Sequence, residues 1–277
     1  MSGRSATDTF RTSDESTISF QLHPAGRTGA PRLALIHPLG LKGAIWDRVI
    51  ATLAGRLEVL TYDCRGHGDS ERRAMPFTTD LFARDLAELL DHVGWTSAAV
   101  AGCSLGGCVA QAFAARHPAR VSALGLIDTT AWYGLDAPAK WRERALAART
   151  QGLAAMIGFQ VARWFSDEFR ARHPDIVSAV SAIFVANDVE CYCASCIMLG
   201  DTDLRPSQTS IHAPTRIVVG EGDYATPVAM SQQIHESIRD STLRILPRVR
   251  HLTPIEAPGE IATQLLALVG LTQTDAA

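Results

Sequence analysis

The chain has 277 residues, enough for one sizeable hydrophobic core or two small ones. A hydrophobic fraction of 47% and a charged fraction of 20% are typical of an ordinary globular protein and exclude a disordered or fibrous chain. The net charge of −3, with no basic block, argues against nucleic acid as a partner.

The first 16 residues are polar, so we expect residues 1–16 to form a mobile tail and not a secretory signal. No apolar run approaches the roughly 20 residues that cross a bilayer, which predicts a cytoplasmic protein with no membrane partner. In that compartment the six cysteines are expected to be reduced thiols. The sequence is also compatible with a homo-oligomer.

Along most of the chain, short apolar runs alternate with longer segments of helical period. This alternation is typical of a mostly parallel sheet covered by helices. The predicted strands lie at 18–23, 33–40, 57–63, 98–102, 121–128, 215–223 and 241–247. The predicted helices include 79–93, 111–118 and 258–270, and Thr226 is expected to cap a further helix that Pro227 begins.

The strand pattern is absent from residues 129–207, where Trp, Arg, Ala and Phe recur at helical spacing. We interpret this segment as a helical cap inserted into one domain, whose core comprises residues 17–128 and 208–277. No internal repeat or low-complexity linker separates the cap from the core.

The stretch GCSLGGC at 102–108 contains G-x-S-x-G where a strand meets a helix. Glycines on both sides allow a sharp, strained turn that lifts the central side chain clear of the sheet. The central residue is Ser104. Cys103 is expected to point into the packing, and Cys108 lies one helical turn further on, below the site.

A serine hydroxyl needs a base to accept its proton and a third group to orient that base. His251 lies between the last strand and the last helix, at the sheet edge where open parallel sheets place their sites. Asp223 ends the preceding strand, so the order Ser104, Asp223, His251 is the one expected for this arrangement. Asp128 also ends a strand and is a rival acid.

The reaction also needs two backbone N–H groups to stabilise a developing oxyanion. One candidate is Leu105, directly after the nucleophile and at the positive end of the helix. The second is Leu39 in His-Pro-Leu-Gly, since Pro38 has no N–H. We expect His37 to brace this loop and not to act as a base.

Together, the tracts GCSLGG, DCRGHGDS, GEGDYATP and RHLTP resemble the α/β-hydrolase superfamily from about residue 17 to the end. The tracts HPLG, YDCRGHGDS, WRER and DTDLR are most similar to those of 3-oxoadipate enol-lactonases. The resemblance implies an α/β-hydrolase fold and hydrolysis of a small-molecule ester or lactone without a cofactor. Three features depart from that family: His37-Pro38, Asp128 and the cysteines of CYCASC.

The cap offers candidate substrate contacts under this interpretation, with Arg144 as ligand for a substrate carboxylate. These candidates are Trp132, Trp141, Arg144, Arg163 and Trp164. The cluster Cys191, Cys193 and Cys196 lacks the fourth ligand of a structural zinc site, so no metal is expected. A broad carboxylesterase, a carbon–carbon bond hydrolase and a ligand receptor on a hydrolase scaffold remain alternatives.

Overall fold

The chain folds around an eight-stranded sheet, described for residues 7–272 by a computed structural model. The strands are β1 (Asp8–Arg11), β2 (Thr17–His23), β3 (Arg32–Ile36), β4 (Glu58–Tyr62), β5 (Ala98–Cys103), β6 (Val121–Ile127), β7 (Thr215–Gly220) and β8 (Ser241–Leu246). Their order across the sheet is β1-β2-β4-β3-β5-β6-β7-β8. The strand β2 is antiparallel to both its neighbours, and β3 to β8 are parallel to one another. The predicted mostly parallel sheet is therefore confirmed.

Eleven α-helices accompany this sheet within the described residues. They are α1 (Asp47–Leu53), α2 (Thr79–His92), α3 (Leu105–Arg116), α4 (Ala137–Gln151), α5 (Ile157–Trp164), α6 (Asp167–Arg172), α7 (Pro174–Val185), α8 (Val189–Asp201), α9 (Val228–Ser237), α10 (Thr253–Glu256) and α11 (Pro258–Leu268). Helix α1 packs on α11 and α2 packs on α3, and α3 and α11 also contact the sheet. The parallel strands are thus covered by helices, as buried apolar strands require.

The central strand β5 is buried at every position because its sequence, AAVAGC, has only small or apolar side chains. Two glycines allow the chain to turn from this strand into α3. A Cβ on Gly102 would lie 2.1 Å from the carbonyl oxygen of Gly106, and one on Gly106 would lie 2.3 Å from that of Ile36. Larger residues at either position would force the turn open.

The expectation of a mobile tail over residues 1–16 is wrong for the part that the structure describes. Residues Asp8–Arg11 form β1, which pairs with β2 at the sheet edge. Phe10 is buried there, and its ring stacks on His92 at a centroid distance of 5.3 Å. One aromatic residue in a polar segment thus has a long-range partner that local composition does not show. Residues 1–6 of the predicted tail lie outside the described residues.

Helices α4 to α8 all lie between β6 and β7, in the segment predicted as a cap. Within it, the β-structure consists of one isolated bridge between Trp132 and Asp203. Gly200 allows α8 to approach α4 closely, since a Cβ there would lie 2.9 Å from the Cβ of Trp141. Across residues 7–272 no single helix is long and apolar enough to cross a membrane, although α7 and α8 together, bent by 94°, pass on length and composition.

Candidate active site

Three loops at the carboxyl edge of the parallel strands bring the predicted serine, histidine and aspartate together. Ser104 follows β5, Asp223 follows β7 and His251 follows β8. The Ser104 Oγ lies 3.0 Å from His251 Nε2, and His251 Nδ1 lies 2.8 Å from Asp223 Oδ2. All three residues are buried. A proton on Nδ1 leaves Nε2 free to accept from the serine hydroxyl.

Ser104 has a backbone conformation that few non-glycine residues adopt, with φ 54° and ψ −115°. Its N–H donates to the carbonyl of Ile127 at 2.9 Å, and its own carbonyl accepts from the Gly107 N–H at 2.9 Å. These bonds hold the serine directly before Leu105, the first residue of α3. The side chain therefore lies at the positive end of that helix.

Asp223 accepts more hydrogen bonds than the one from His251. The backbone N–H groups of Ala225 and Thr226 donate to Oδ1 at 2.7 and 3.0 Å, and the Thr226 hydroxyl donates to Oδ2 at 2.8 Å. Burial alone would raise the pKa of Asp223, but the His251 charge and these hydrogen bonds lower it overall. The carboxylate is thus kept ionised beside the imidazole.

The position of Thr226 corrects one expectation. Helix α9 begins at Val228 with Pro227 as its N-cap and has no side-chain cap. The Thr226 hydroxyl is used by Asp223 instead. Since a threonine before a proline is also a common helix start, the sequence carries no local signal for this role.

The rival acid, Asp128, is committed to other partners. Its Oδ1 accepts from the Gly220 N–H at 3.0 Å, and its Oδ2 accepts from the N–H and hydroxyl of Thr253 at 3.0 and 2.7 Å. Burial and the nearby Asp223 charge raise its pKa well above the usual range. Asp128 thus ties β7 and α10 to the end of β6 and makes no hydrogen bond to His251 within the described residues.

The loop after β3 contains Leu39, whose N–H is a proposed oxyanion donor, and His37 holds this loop in place. The His37 Nδ1–H donates to the Pro38 carbonyl at 2.8 Å, while Nε2 accepts from the Cys64 N–H at 2.8 Å. Burial lowers the pKa of His37 to about 4, so the ring stays neutral. Among residues 7–272, no hydrogen bond engages the backbone N–H of Leu39 or Leu105.

A small chamber of about 30 Å³ lies directly in front of Ser104, and we call it the inner chamber. It is lined by Pro38, Leu39, Ser104, Tyr133, Trp141, Arg144, Gln160, Arg163, Trp164, Ala225, Thr226 and His251. An open groove of about 700 Å³, the outer groove, shares five of these residues. A separate cavity of about 990 Å³ between the cap and α3 contains none of Ser104, Asp223 and His251.

Four of the five candidate cap residues line the inner chamber: Trp141, Arg144, Arg163 and Trp164. Trp132 does not, because its ring lies under the Arg205 guanidinium, 3.6 Å from the ring centroid. The prediction for Trp132 is therefore wrong, and the next residue, Tyr133, takes its place. One more chamber residue of the cap, Gln160, was not predicted. Helical period on α5 would place residue 160 beside 164 and could have indicated Gln160.

The cysteines near Ser104 are buried thiols. Burial raises the pKa of Cys103 well above its usual value and that of Cys108 to about 11. The cap cysteines of CYCASC are also buried and free. No group of three or more His, Cys, Asp or Glu residues within 7–272 could hold a metal ion.

Comparisons with known proteins identify the family of the fold. The sequence model of a family described as alpha/beta hydrolase fold matches residues 31–258. 3-Oxoadipate enol-lactonase 2 of Acinetobacter baylyi is 33% identical over 233 residues, 84% of this chain and 86% of that one. A pimeloyl-[acyl-carrier protein] methyl ester esterase of Chromobacterium violaceum is 28% identical over 226 residues, 80% of this chain and 87% of that one. The crystal structure of the enol-lactonase from Burkholderia xenovorans LB400 superposes with a TM-score of 0.90 at 28% identity, covering 95% of this chain and 100% of that one.

Proposed function

The chain belongs to the α/β-hydrolase family, and on that premise we propose that it is a serine hydrolase of a small carboxylate-bearing lactone or ester. The specific reaction we propose is opening of the 3-oxoadipate enol-lactone ring. The observation that carries the proposal is the chain of hydrogen bonds from Ser104 through His251 to Asp223, at 3.0 and 2.8 Å. Similarity to enol-lactonases over more than 80% of the chain supports the choice of substrate.

In the first step, Ser104 Oγ attacks the carbonyl carbon while its proton moves to His251 Nε2. Asp223 stabilises the imidazolium that forms, because it already accepts the Nδ1–H. The carbonyl oxygen becomes an oxyanion, and the N–H groups of Leu39 and Leu105 donate to it. Loss of one such donor typically raises the barrier by about 3–4 kcal/mol.

His251 then donates its proton to the ring oxygen as the carbon–oxygen bond breaks. The enol released in this way tautomerises to a ketone and stays attached through its carbon chain to the acyl-enzyme. A water molecule, activated by the same imidazole, hydrolyses the acyl-enzyme and frees Ser104. The protein supplies every proton transfer through His251, so the scheme uses no cofactor.

Arg144 supports the proposal of an anionic substrate. Its guanidinium lines the inner chamber and lies over Trp141, 4.9 Å from the ring centroid, while its Nε donates to the Tyr192 hydroxyl at 2.7 Å. None of the ion pairs within residues 7–272 includes Arg144. A substrate carboxylate would therefore be the counterion of this half-buried cation, and a planar guanidinium suits bidentate binding of a carboxylate.

The test compares hydrolysis of 3-oxoadipate enol-lactone with that of p-nitrophenyl acetate. We expect Ser104→Ala to abolish both reactions with the fold intact, and retention of more than a few per cent of activity would exclude serine catalysis. Cleavage of the aryl ester alone by the unmodified protein would favour a broad carboxylesterase, for which similarity to a methyl ester esterase is the supporting observation.

Arg144→Met tests the substrate charge separately. We expect KM for the lactone to rise by roughly 10-fold or more, the usual size of a lost hydrogen bond to a charged group. KM for the neutral aryl ester should change little, because that substrate has no carboxylate. An equal rise for both substrates would assign Arg144 to the packing of the cap.

A further inference from the structure

Tyr133 is a chamber residue that the hydrolysis scheme above does not use. It lies two residues after Ala131, in the segment between β6 and α4. Thr130 holds this segment, since its hydroxyl donates to the Trp132 carbonyl at 2.8 Å and accepts from the Trp132 N–H at 3.1 Å. The Tyr133 ring packs edge-on against Trp141, with centroids 5.1 Å apart. These contacts fix the direction of the phenol.

Tyr133 lines the inner chamber together with Ser104, Leu39 and His251. Burial raises its pKa well above 10, the Cys108 thiol adds to this rise, and an interaction with the Ser104 side chain partly offsets it. The phenol therefore keeps its proton at neutral pH and can donate a hydrogen bond.

During the reaction, the leaving oxygen of the substrate is the acceptor available to the Tyr133 hydroxyl. The carbonyl oxygen faces the N–H groups of Leu39 and Leu105, and the leaving oxygen must face His251, which protonates it. Tyr133 lines both the inner chamber and the outer groove, so it borders the route by which a leaving group departs. Its phenol also interacts with the Ser104 side chain, so the donor lies on the side of the chamber where the bond breaks.

We propose that Tyr133 is a catalytic residue whose hydroxyl donates a hydrogen bond to the leaving oxygen while the carbon–oxygen bond breaks. The inference rests on the serine-hydrolase function proposed above. The proton that ends on the leaving oxygen still comes from Ser104 through His251, and Tyr133 keeps its own proton throughout. Its effect is to stabilise the negative charge that develops before protonation is complete.

The test measures kcat/KM of Tyr133→Phe on methyl, phenyl and p-nitrophenyl acetates, since kcat/KM reports the step in which the leaving group departs. For the methyl and phenyl esters we expect a loss of roughly 10- to 100-fold, the usual effect of a hydrogen bond to a charged oxygen. For p-nitrophenyl acetate the loss should be less than about threefold, because its leaving oxygen is weakly basic. The dependence of rate on leaving-group basicity should therefore become steeper.

Tyr62→Phe is the matched control, because Tyr62 is buried in β4, lies outside the inner chamber and has a hydroxyl with no hydrogen-bond partner among the described residues. It should leave all three rates unchanged. An equal loss on all three esters in Tyr133→Phe, or none, would overturn the role of Tyr133. Ser104→Ala assayed on the same esters reports on the proposed function separately, since turnover in that variant would overturn serine catalysis itself.

Discussion

Replacing Ser104 by glycine should make the protein more stable than replacing it by alanine. Ser104 has φ 54°, a left-handed value that is strained for residues with a Cβ and free of strain for glycine. Such strain costs of order 1–3 kcal/mol and persists only where the surrounding structure imposes it. Here β5 and α3 impose it, because together they require a sharp turn at Ser104.

The comparison with alanine isolates the strain. Both variants lose the hydrogen bond to His251, so this loss cancels, and both lack the hydroxyl. Glycine relieves about 1–3 kcal/mol of strain and loses about 0.4–1 kcal/mol through the greater freedom of the unfolded chain. We therefore expect the free energy of unfolding of Ser104→Gly to be about 1 kcal/mol higher than that of Ser104→Ala. This difference corresponds to about 2–4 °C in Tm for a chain of this size.

Urea unfolding of the two variants, followed by circular dichroism, measures this difference as a shift in midpoint. Ala182→Gly, at an exposed position of α7, is the control and should lose about 1 kcal/mol because its backbone is helical. If Ser104→Gly is less stable than Ser104→Ala by a similar amount, the turn carries no strain and the reasoning is refuted.

Two further predictions concern groups outside the proposed mechanism. Iodoacetamide at pH 7.5 should leave ester turnover intact, because burial raises the pKa of Cys103 and Cys108 and keeps both as thiols. A serine-directed organophosphate should abolish ester turnover. The reverse pattern would make a thiol the nucleophile. Arg65→Ala should lower the free energy of unfolding by about 3–5 kcal/mol, because it leaves the buried Asp85 carboxylate without its ion-pair partner at 2.5 Å. As the control, Arg116→Ala removes an exposed ion pair and should lower the free energy of unfolding by less than about 1 kcal/mol. The hydrogen bond from Arg65 also lowers the pKa of Asp14 in the folded protein. The stability that the Arg65–Asp14 pair contributes is therefore fully present above the unfolded pKa of Asp14, about 4, and is lost progressively as the pH falls below that value.

Much of the fold and of the candidate site follows from local sequence. Buried parallel strands appear as short apolar runs, and G-x-S-x-G after such a run predicts the turn at Ser104. The loops that carry Ser104, Asp223 and His251 all follow strands, and parallel strands end at the same edge of the sheet. Their proximity is thus a consequence of topology that the sequence pattern already contains.

Local sequence does not predict hydrogen bonds between residues that are far apart in the chain. Asp128 and Asp223 each follow a strand of the sheet. Asp128 accepts hydrogen bonds from β7 and α10, whereas Asp223 accepts one from His251. In the same way, Trp132 and Tyr133 are adjacent in sequence, but the Trp132 ring packs under Arg205 whereas Tyr133 lines the inner chamber.

The sequence by itself therefore determined the fold class, the turn at Ser104 and the chain order of the three polar side chains, because these depend on periodicity and on the few residues around each turn. The tertiary structure decided which acid contacts the histidine, which cap side chains reach the chamber, and that Asp8–Arg11 is a strand. Each of these depends on contacts between residues far apart in the chain, such as Phe10 with His92, whose free energy appears only after the elements have packed.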